Sequence, residues 1–255
     1  ISSMKRVFIT GASSGIGEAL ALAYAKKKYT VGLTARRLKL LENVSVRCTN
    51  LGAKTFIYKL DVNNQIDCEV IAKKFQKEAN GIDIVIANAG IGGDDGLFSQ
   101  NSKKINAILN TNVLGTTNSI MPFIPALKKQ NSGILVCISS VASFIPLPFH
   151  GGYSSSKIAI KMIFDSWRPT LNKYNIKLIT ICPGFIDTPM VKGPARNFPM
   201  ISAENAAESF LKIIHKGNKT YIFPWPYKIL IMIKFIIPNA IYNWLIKKMF
   251  SKPNS

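Results

Sequence analysis

Tyr153 and Lys157 bracket the run Tyr-Ser-Ser-Ser-Lys. Four residues apart on a helix, the two side chains share one face. A free phenol loses its proton near about pH 10, and an adjacent ammonium favours the phenolate and lowers that value. The pair is therefore a candidate acid and base for an oxygen that gains or loses a proton. Ser140 stands thirteen residues earlier and ends an apolar run. Its neighbour Ser139 is the competing hydroxyl, and strand alternation sends it to the opposite face. His150 and His215 are the only histidines; His150 is expected to line the mouth of the site without a catalytic role.

A second group of residues suits phosphate. Thr10-Gly11-Ala12-Ser13-Ser14-Gly15-Ile16-Gly17 joins a short apolar run to a helical pattern. Gly11 allows a tight turn, while Gly15 and Gly17 clear side chains where backbone meets a pyrophosphate and where helix packs on strand. The helix start offers unpaired N–H groups and the positive end of its dipole. At the end of the second strand an acid would bind a ribose 2′-hydroxyl and repel a 2′-phosphate. Ala35 occupies that place and Arg36 and Arg37 follow it. A guanidinium there pairs with a 2′-phosphate, so NADP(H) is expected over NAD(H), with Arg36 doing most of the discrimination. Nine basic residues and one acid, Glu42, between Lys26 and Lys59 make the corner positive.

These groups need a frame to hold them. Apolar runs at Val7–Thr10, Val31–Ala35, Thr55–Leu60, Ile82–Ala87, Ile134–Ser139, Ile176–Ile181 and Tyr221–Phe223 read as strands. Helical patterns at Gly15–Lys28, Arg37–Leu51, Asn63–Ala79, about Asn101–Leu127, Gly152–Tyr174 and Ser202–His215 separate them. The alternation implies βαβ units and a parallel sheet covered on both faces. Right-handed crossovers then give a doubly wound α/β fold of about seven strands. One domain is expected over 4–223, with an apolar, basic helical tail over 224–255. Ile1-Ser2-Ser3 precede Met4 and read as an extension ahead of a natural start.

The spacing Gly-x3-Gly-x-Gly, with Thr10 before it, resembles the short-chain dehydrogenase/reductase family. Further residues extend the likeness in the family's order over about Lys5 to Phe223: Asp61-Val62, Asn88-Ala89-Gly90 (with Ala87 replacing the family's first Asn), Asn112, Ser140, Tyr153-x3-Lys157 and Pro183-Gly184. The resemblance implies a Rossmann fold and a carbonyl–alcohol oxidoreductase. In it Tyr153 is the acid/base, Lys157 also holds the nicotinamide ribose, Ser140 orients the substrate oxygen, and Asn112 holds a water in a proton relay. It also implies cofactor contacts at Gly11, Ser13, Ser14, Gly15, Ile16, Gly17, Arg36, Arg37, Asp61, Val62, Asn88, Ala89, Gly90, Tyr153, Lys157, Pro183, Gly184, Ile186 and Thr188. Family members usually pair as dimers or tetramers through helices corresponding to Asn101–Leu127 and Gly152–Tyr174.

On the substrate side, the segment Phe185–Met200 is expected to cover the site, with Met190, Val191, Phe198, Pro199 and Met200. Phe144, Ile145, Leu147, Pro148 and Phe149 are expected to add to its wall. Lys192 and Arg196 are the charged residues of the covering segment. An apolar pocket for a small lipophilic carbonyl or alcohol follows. The alternatives are an NAD-linked alcohol dehydrogenase, sugar epimerisation on the same site, and a non-enzymatic dinucleotide sensor.

The chain has 255 residues, 33 Lys+Arg against 13 Asp+Glu, and a net charge of +20. With 47% hydrophobic residues, that charge does not make a disordered chain. The four cysteines, Cys48, Cys68, Cys137 and Cys182, have no metal-ligand spacing, so buried free thiols, no metal and a reducing, cytoplasmic setting are expected. No aromatic–basic RNA motif accompanies the charge, so nucleic acid is not an expected partner. In the tail, Tyr227–Ile237 is apolar on nearly all sides, Asn239–Phe250 is amphipathic, and five lysines stand with no acid. Pro238 and the lysines argue against a spanning helix. Trp225, Tyr227, Tyr242 and Trp244 suit an anionic membrane surface. A lid or subunit contact is the alternative.

Overall fold

A computed structural model describes residues 5–191, 199–217, 219–238, 240–242 and 244. Its apolar runs become strands of one seven-stranded, all-parallel sheet: β1 Arg6–Thr10, β2 Thr30–Ala35, β3 Lys54–Lys59, β4 Ile84–Ala87, β5 Gly133–Ile138, β6 Ile176–Pro183 and, completing the sheet, β9 Thr220–Phe223. The order is β3-β2-β1-β4-β5-β6-β9. β2 is buried along its whole length, as a strand covered on both faces must be. β1 pairs with both β2 and β4. Successive strands are therefore laid down away from β1 on one side and then on the other, which opens a crevice at their carboxyl ends.

Period-2 alternation divides the core into two layers. Val7, Ile9, Ile84, Ile86, Val136, Ile138, Ile179 and Ile181 face α1 (Gly15–Lys26), α2 (Leu38–Asn50) and α8 (Ala203–Lys216). Phe8, Val85, Ala87, Leu135, Cys137, Ile176 and Leu178 face α3 (Gln65–Glu78) and α7 (Gly151–Asn172). On α7, Ile160 and Phe164 fill that second layer.

Two regions depart from the sequence expectation. The helix expected over about Asn101–Leu127 is instead α4 (Lys103–Leu109), a π turn (Asn110–Leu114), α5 (Gly115–Ile120), a 3₁₀ turn (Met121–Phe123) and α6 (Ile124–Lys129). The π turn inserts one residue into the helical ladder, and such bulges concentrate at functional sites. A small parallel pair, β7 (Ile186–Asp187) with β8 (Ile201–Ser202), lies beyond β6; four residues are too few for a periodic signal. In the tail, α9 spans Pro226–Ile236 and residues 240–242 and 244 are helical. The rest of the helix expected over Asn239–Phe250 lies outside the described residues. No described helix is long and apolar enough to cross a membrane.

Candidate active site

The carboxyl ends of β1, β2, β4, β5 and β6 enclose a cleft of about 350 Å³. Gly11 turns the chain out of β1 with φ 67°, and a side chain there would strike the backbone of Ala89 at 2.8 Å. The Thr10 hydroxyl accepts from the amides of Asn88 (3.2 Å) and Ala89 (3.1 Å), while Asn88 Nδ2 donates to the carbonyls of Thr10 (3.0 Å) and Gly11 (3.2 Å). Those bonds tie the loop after β1 to the end of β4. Gly17 lies under the same junction, where a Cβ would collide with Asn88 Nδ2 and the Gly11 carbonyl. Ser14, the cap residue of α1, makes no side-chain bond to the first turn. The leading amides of α1 thus lack an intrahelical partner and their dipole end faces the cleft, a fit to phosphate.

At the β2 end the cleft is lined by Ala35, Arg36 and Arg37. Arg37 Nη2 donates to Ser13 Oγ (3.0 Å) and Ser14 Oγ (2.8 Å). The second arginine is thereby drawn to the phosphate loop, whereas Arg36 has no hydrogen-bond partner among the described residues. Among the described residues the only acid along the cleft is Asp61; its Oδ1 accepts from the amide of Asn63 at 3.0 Å.

The proton-handling groups converge from β5 and α7. Ser139 and Ser140 both line the cleft, against the opposite faces that alternation predicts, but their hydroxyls take different partners on α7. Ser139 Oγ donates to the Lys157 carbonyl at 2.8 Å. Ser140 is hydrogen-bonded through its side chain to Tyr153, and its Oγ accepts from the Ala142 amide at 3.1 Å. Lys157 Nζ donates to the Ile138 carbonyl at 2.8 Å and lies 5.6 Å from the centre of the Tyr153 ring. Asn112, in the π turn, is fully buried. Its Oδ1 accepts from the Ile91 amide (2.8 Å), and its Nδ2 donates to the Ile91 carbonyl (2.9 Å) and to Ser156 Oγ (2.9 Å). It braces the strand β4 exit against α7, leaving one acceptor lone pair on Oδ1.

The electrostatics correct one expectation. Burial raises the Tyr153 phenol above its ordinary value; the Ser140 hydrogen bond acts downward and Cys182 acts upward. Burial also lowers the Lys157 ammonium to about 8, with Cys137 and Cys182 acting upward. Lys157 therefore does not depress the phenol as the helix spacing predicts. Both groups sit in the same low-dielectric site, where burial opposes the charged form of each and is the largest influence on both.

Gly11, Ser13, Ser14, Gly15, Ile16, Arg36, Arg37, Asp61, Val62, Asn88, Ala89, Gly90, Ser140, Tyr153, Lys157, Pro183, Gly184, Ile186 and Thr188 all line the cleft. Gly17 and Asn112 stand behind its wall. Thr34, Leu60, Ile91, Thr111, Ile138 and Pro189 join it unforeseen; each adjoins a named residue in sequence, a signal contiguity could have supplied. Met190 and Val191 line the cleft as expected. Phe144, Ile145, Leu147, Pro148 and Phe149 do not. The 3₁₀ turn Val141–Ser143 folds this segment back on α7, and the Phe144 ring ends 5.3 Å beneath Lys161 Nζ. His150 also leaves the mouth: it precedes α7, with Nδ1 2.7 Å from the Pro148 carbonyl. Pro199 and Met200 are outside the lining, and Lys192, Arg196 and Phe198 lie outside the described residues.

A profile of the short chain dehydrogenases matches residues 5–197. The chain belongs to the short-chain dehydrogenase family. An uncharacterized oxidoreductase of Myxococcus xanthus is 30% identical over 244 residues, 94% of this chain and 96% of that protein. Estradiol 17-beta-dehydrogenase 11 of Homo sapiens is 30% identical over 251 residues, 96% of this chain and 83% of its own length. An alcohol dehydrogenase of Thermococcus sibiricus, solved with 5-hydroxy-NADP, superposes with TM-score 0.79 at 26% identity, covering 86% of this chain and 96% of that one. The protein is thus an oxidoreductase of a family that binds a nicotinamide dinucleotide. The unpaired amides of α1, the positive β2 corner and the cleft volume fit that group.

Proposed function

We propose that this short-chain dehydrogenase interconverts a lipophilic carbonyl and its alcohol with NADP(H). The convergence of Ser140, Tyr153 and Lys157 on one cleft that begins at the open N-terminus of α1 carries the reading. A bound nicotinamide supplies or takes the hydride. Tyr153 gives the proton to the carbonyl oxygen, or takes it from the alcohol, and Ser140 holds that oxygen by its hydroxyl. Lys157 holds the ribose and passes the proton on toward a water held near Asn112. Ala35 leaves the end of β2 without an acid, and Arg36 with Arg37 receives a 2′-phosphate; Arg37 carries more of this than the sequence suggested, because it is already anchored at the phosphate loop. Met190 and Val191 give the substrate end an apolar lining, and the relationship to a protein named as an estradiol dehydrogenase supports a lipophilic substrate.

Turnover of a panel of lipophilic ketones and aldehydes, followed by nicotinamide absorbance, tests the reaction. Tyr153→Phe is expected to lower kcat by roughly 10²–10⁴-fold while leaving cofactor affinity unchanged. Wild-type kcat in that variant rejects the mechanism, and equal or better kcat/KM with NADH rejects the NADP(H) assignment.

The same reading extends to where the enzyme works. The inward face of α9 is Tyr227, against Gly184 of the cleft wall, and buried Ile231. The outward face exposes Leu230, Met232, Ile233, Phe235 (68%) and Ile236 (78%), flanked by Trp225. That inverts the usual soluble amphipathic helix, and a patch of this kind is an interaction surface. No acid follows Glu208 in the chain, while eight lysines do. An anionic lipid surface complements this combination, whereas a second copy would oppose like charges. Subunit pairing is assigned instead to the helices around α5 and α7, where Leu114, Met121, Ile158 and Met162 are exposed.

A further inference from the structure

The helix that carries Tyr153 and Lys157 has no cap of its own. His150 precedes α7 and makes no side-chain bond to its first turn. Backbone at Phe149 enters the helix through the left-handed region, φ 62°, unusual for a bulky residue. The first amides of α7 are satisfied from a distant segment. Asp95, in the loop that leaves β4, is buried at 6% exposure. Its Oδ2 accepts from the Gly151 amide at 2.5 Å and its Oδ1 from the Gly152 amide at 2.9 Å. The Asp95 amide in turn donates to the Phe149 carbonyl at 2.8 Å.

The seat is shaped for that carboxylate. A Cβ on Gly151 would stand 3.0 Å from Asp95 Oδ2. One on Gly152 would stand 3.0 Å from Oδ1 and 2.6 Å from Ile105 Cγ1. The two glycines before Tyr153 therefore leave room for an acid presented 56 residues upstream. The same loop is braced at its other end: Ile91, four residues before Asp95, is held by Asn112, which also bonds Ser156 of α7. Loop and helix are thus joined at two points on either side of Tyr153.

We propose that Asp95 is a positioning residue for the reaction: its carboxylate caps α7 in trans and sets where the Tyr153 hydroxyl stands relative to Ser140. A carboxylate at a helix start satisfies its unpaired amides and opposes the positive dipole end. Two charge-assisted bonds from one rigid acid fix the helix along its axis and about it. A small displacement of a proton donor costs rate far more than it costs binding. Asp95 acts through Tyr153 and touches neither the phosphate loop nor the β2 corner. Lys157, which holds the ribose, rides on the same helix, so the effect of losing Asp95 is expected to be larger in kcat than in cofactor affinity.

This inference rests on the proposed reaction for one of its two readouts only. In Asp95→Ala, hydrogen exchange at the amides of Gly151 to Ser154 is expected to accelerate. In the same variant kcat should fall on the order of tenfold, and the NADPH dissociation constant measured by fluorescence should change by a clearly smaller factor. Asp95→Asn keeps the shape and one acceptor and is expected to recover part of both losses. Should Asp95→Ala fail to fold, Asp95→Asn is read alone by the same measurements. Wild-type exchange at 151–154, or wild-type kcat despite faster exchange, overturns the proposal. So does a kcat loss matched by an equal loss of NADPH affinity, which is general destabilisation. An inactive parent chain with accelerated exchange in the variant rejects the reaction and leaves the cap standing.

Discussion

Lys157 holds its charge where burial opposes it. Its ammonium is lowered from 10.5 to about 8, and its Nζ donates to the Ile138 carbonyl. Below pH 8 both folded and unfolded chains are protonated, and the full cost of the buried charge is present. Between about 8 and 10.5 the unfolded chain holds more protons than the folded one, so stability conferred through this residue rises with pH. Measured against Lys157→Met, in which the Cys48 and Cys68 titrations cancel, wild type should gain roughly 2–3 kcal/mol across that window. Denaturant midpoints at its two ends give the figure, and a difference independent of pH refutes the buried charge. Ser140 acts on Tyr153 in the opposite sense to burial. Ser140→Ala should therefore move the rise of alcohol oxidation with pH to higher values, alongside a lower kcat. An unmoved profile would separate Ser140 from the phenol. At the β2 corner, Arg37→Ala should raise the KM for NADPH more than Arg36→Ala, because only Arg37 is anchored to Ser13 and Ser14.

At the scale of elements, the site depends on junctions between segments distant in the chain. The loop after β1 is locked to the end of β4 through Thr10 and Asn88, and Gly17 carries α1 into contact with that lock. Gly17→Ala should destabilise the fold by about 1–3 kcal/mol, as overpacking does, and weaken cofactor binding by displacing the α1 amides. Thermal unfolding and NADPH titration together check it; a variant unchanged in both would mean the junction relaxes freely. The strands and most helices were legible in the sequence, because burial on both faces enforces continuous apolar runs and amphipathic helices repeat every three to four residues. The π turn at Asn110–Leu114 was not, since one inserted residue leaves no periodic trace. Nor was the return of Phe144 onto α7: an apolar segment after a strand reads the same whether it lines a pocket or packs on a helix.

For the whole molecule, the net charge of +20 is distributed among roles that the fold separates. Part lies at the β2 corner and part follows Glu208, around an α9 whose apolar side faces outward. Co-sedimentation with vesicles rich in phosphatidylserine is expected at low salt. It should weaken as salt screens the lysines and be lost in Leu230→Asp/Ile233→Asp. Failure of the intact chain to bind such vesicles ends the membrane assignment. Because Tyr227 of α9 packs on Gly184 and the Tyr242 hydroxyl donates to the Pro146 carbonyl at 3.2 Å, a surface bound to α9 lies close to the cleft wall. The double variant should therefore raise the apparent KM for vesicle-borne substrates and leave that for water-soluble ones unchanged.

The sequence by itself determined the family and the order of the parts. A glycine turn before a helix, a tyrosine four residues from a lysine, and an alanine followed by two arginines carry local geometry and charge, both set by neighbours along the chain. What only the tertiary structure decided are relations between distant segments: that desolvation, not the lysine, governs Tyr153; that Arg37 is drawn to the phosphate loop; that His150 leaves the mouth; and that Asp95 finds the start of α7. Each depends on which groups the folded sheet brings within hydrogen-bonding distance and on how much water it excludes. Neither quantity is a property of any short stretch of residues.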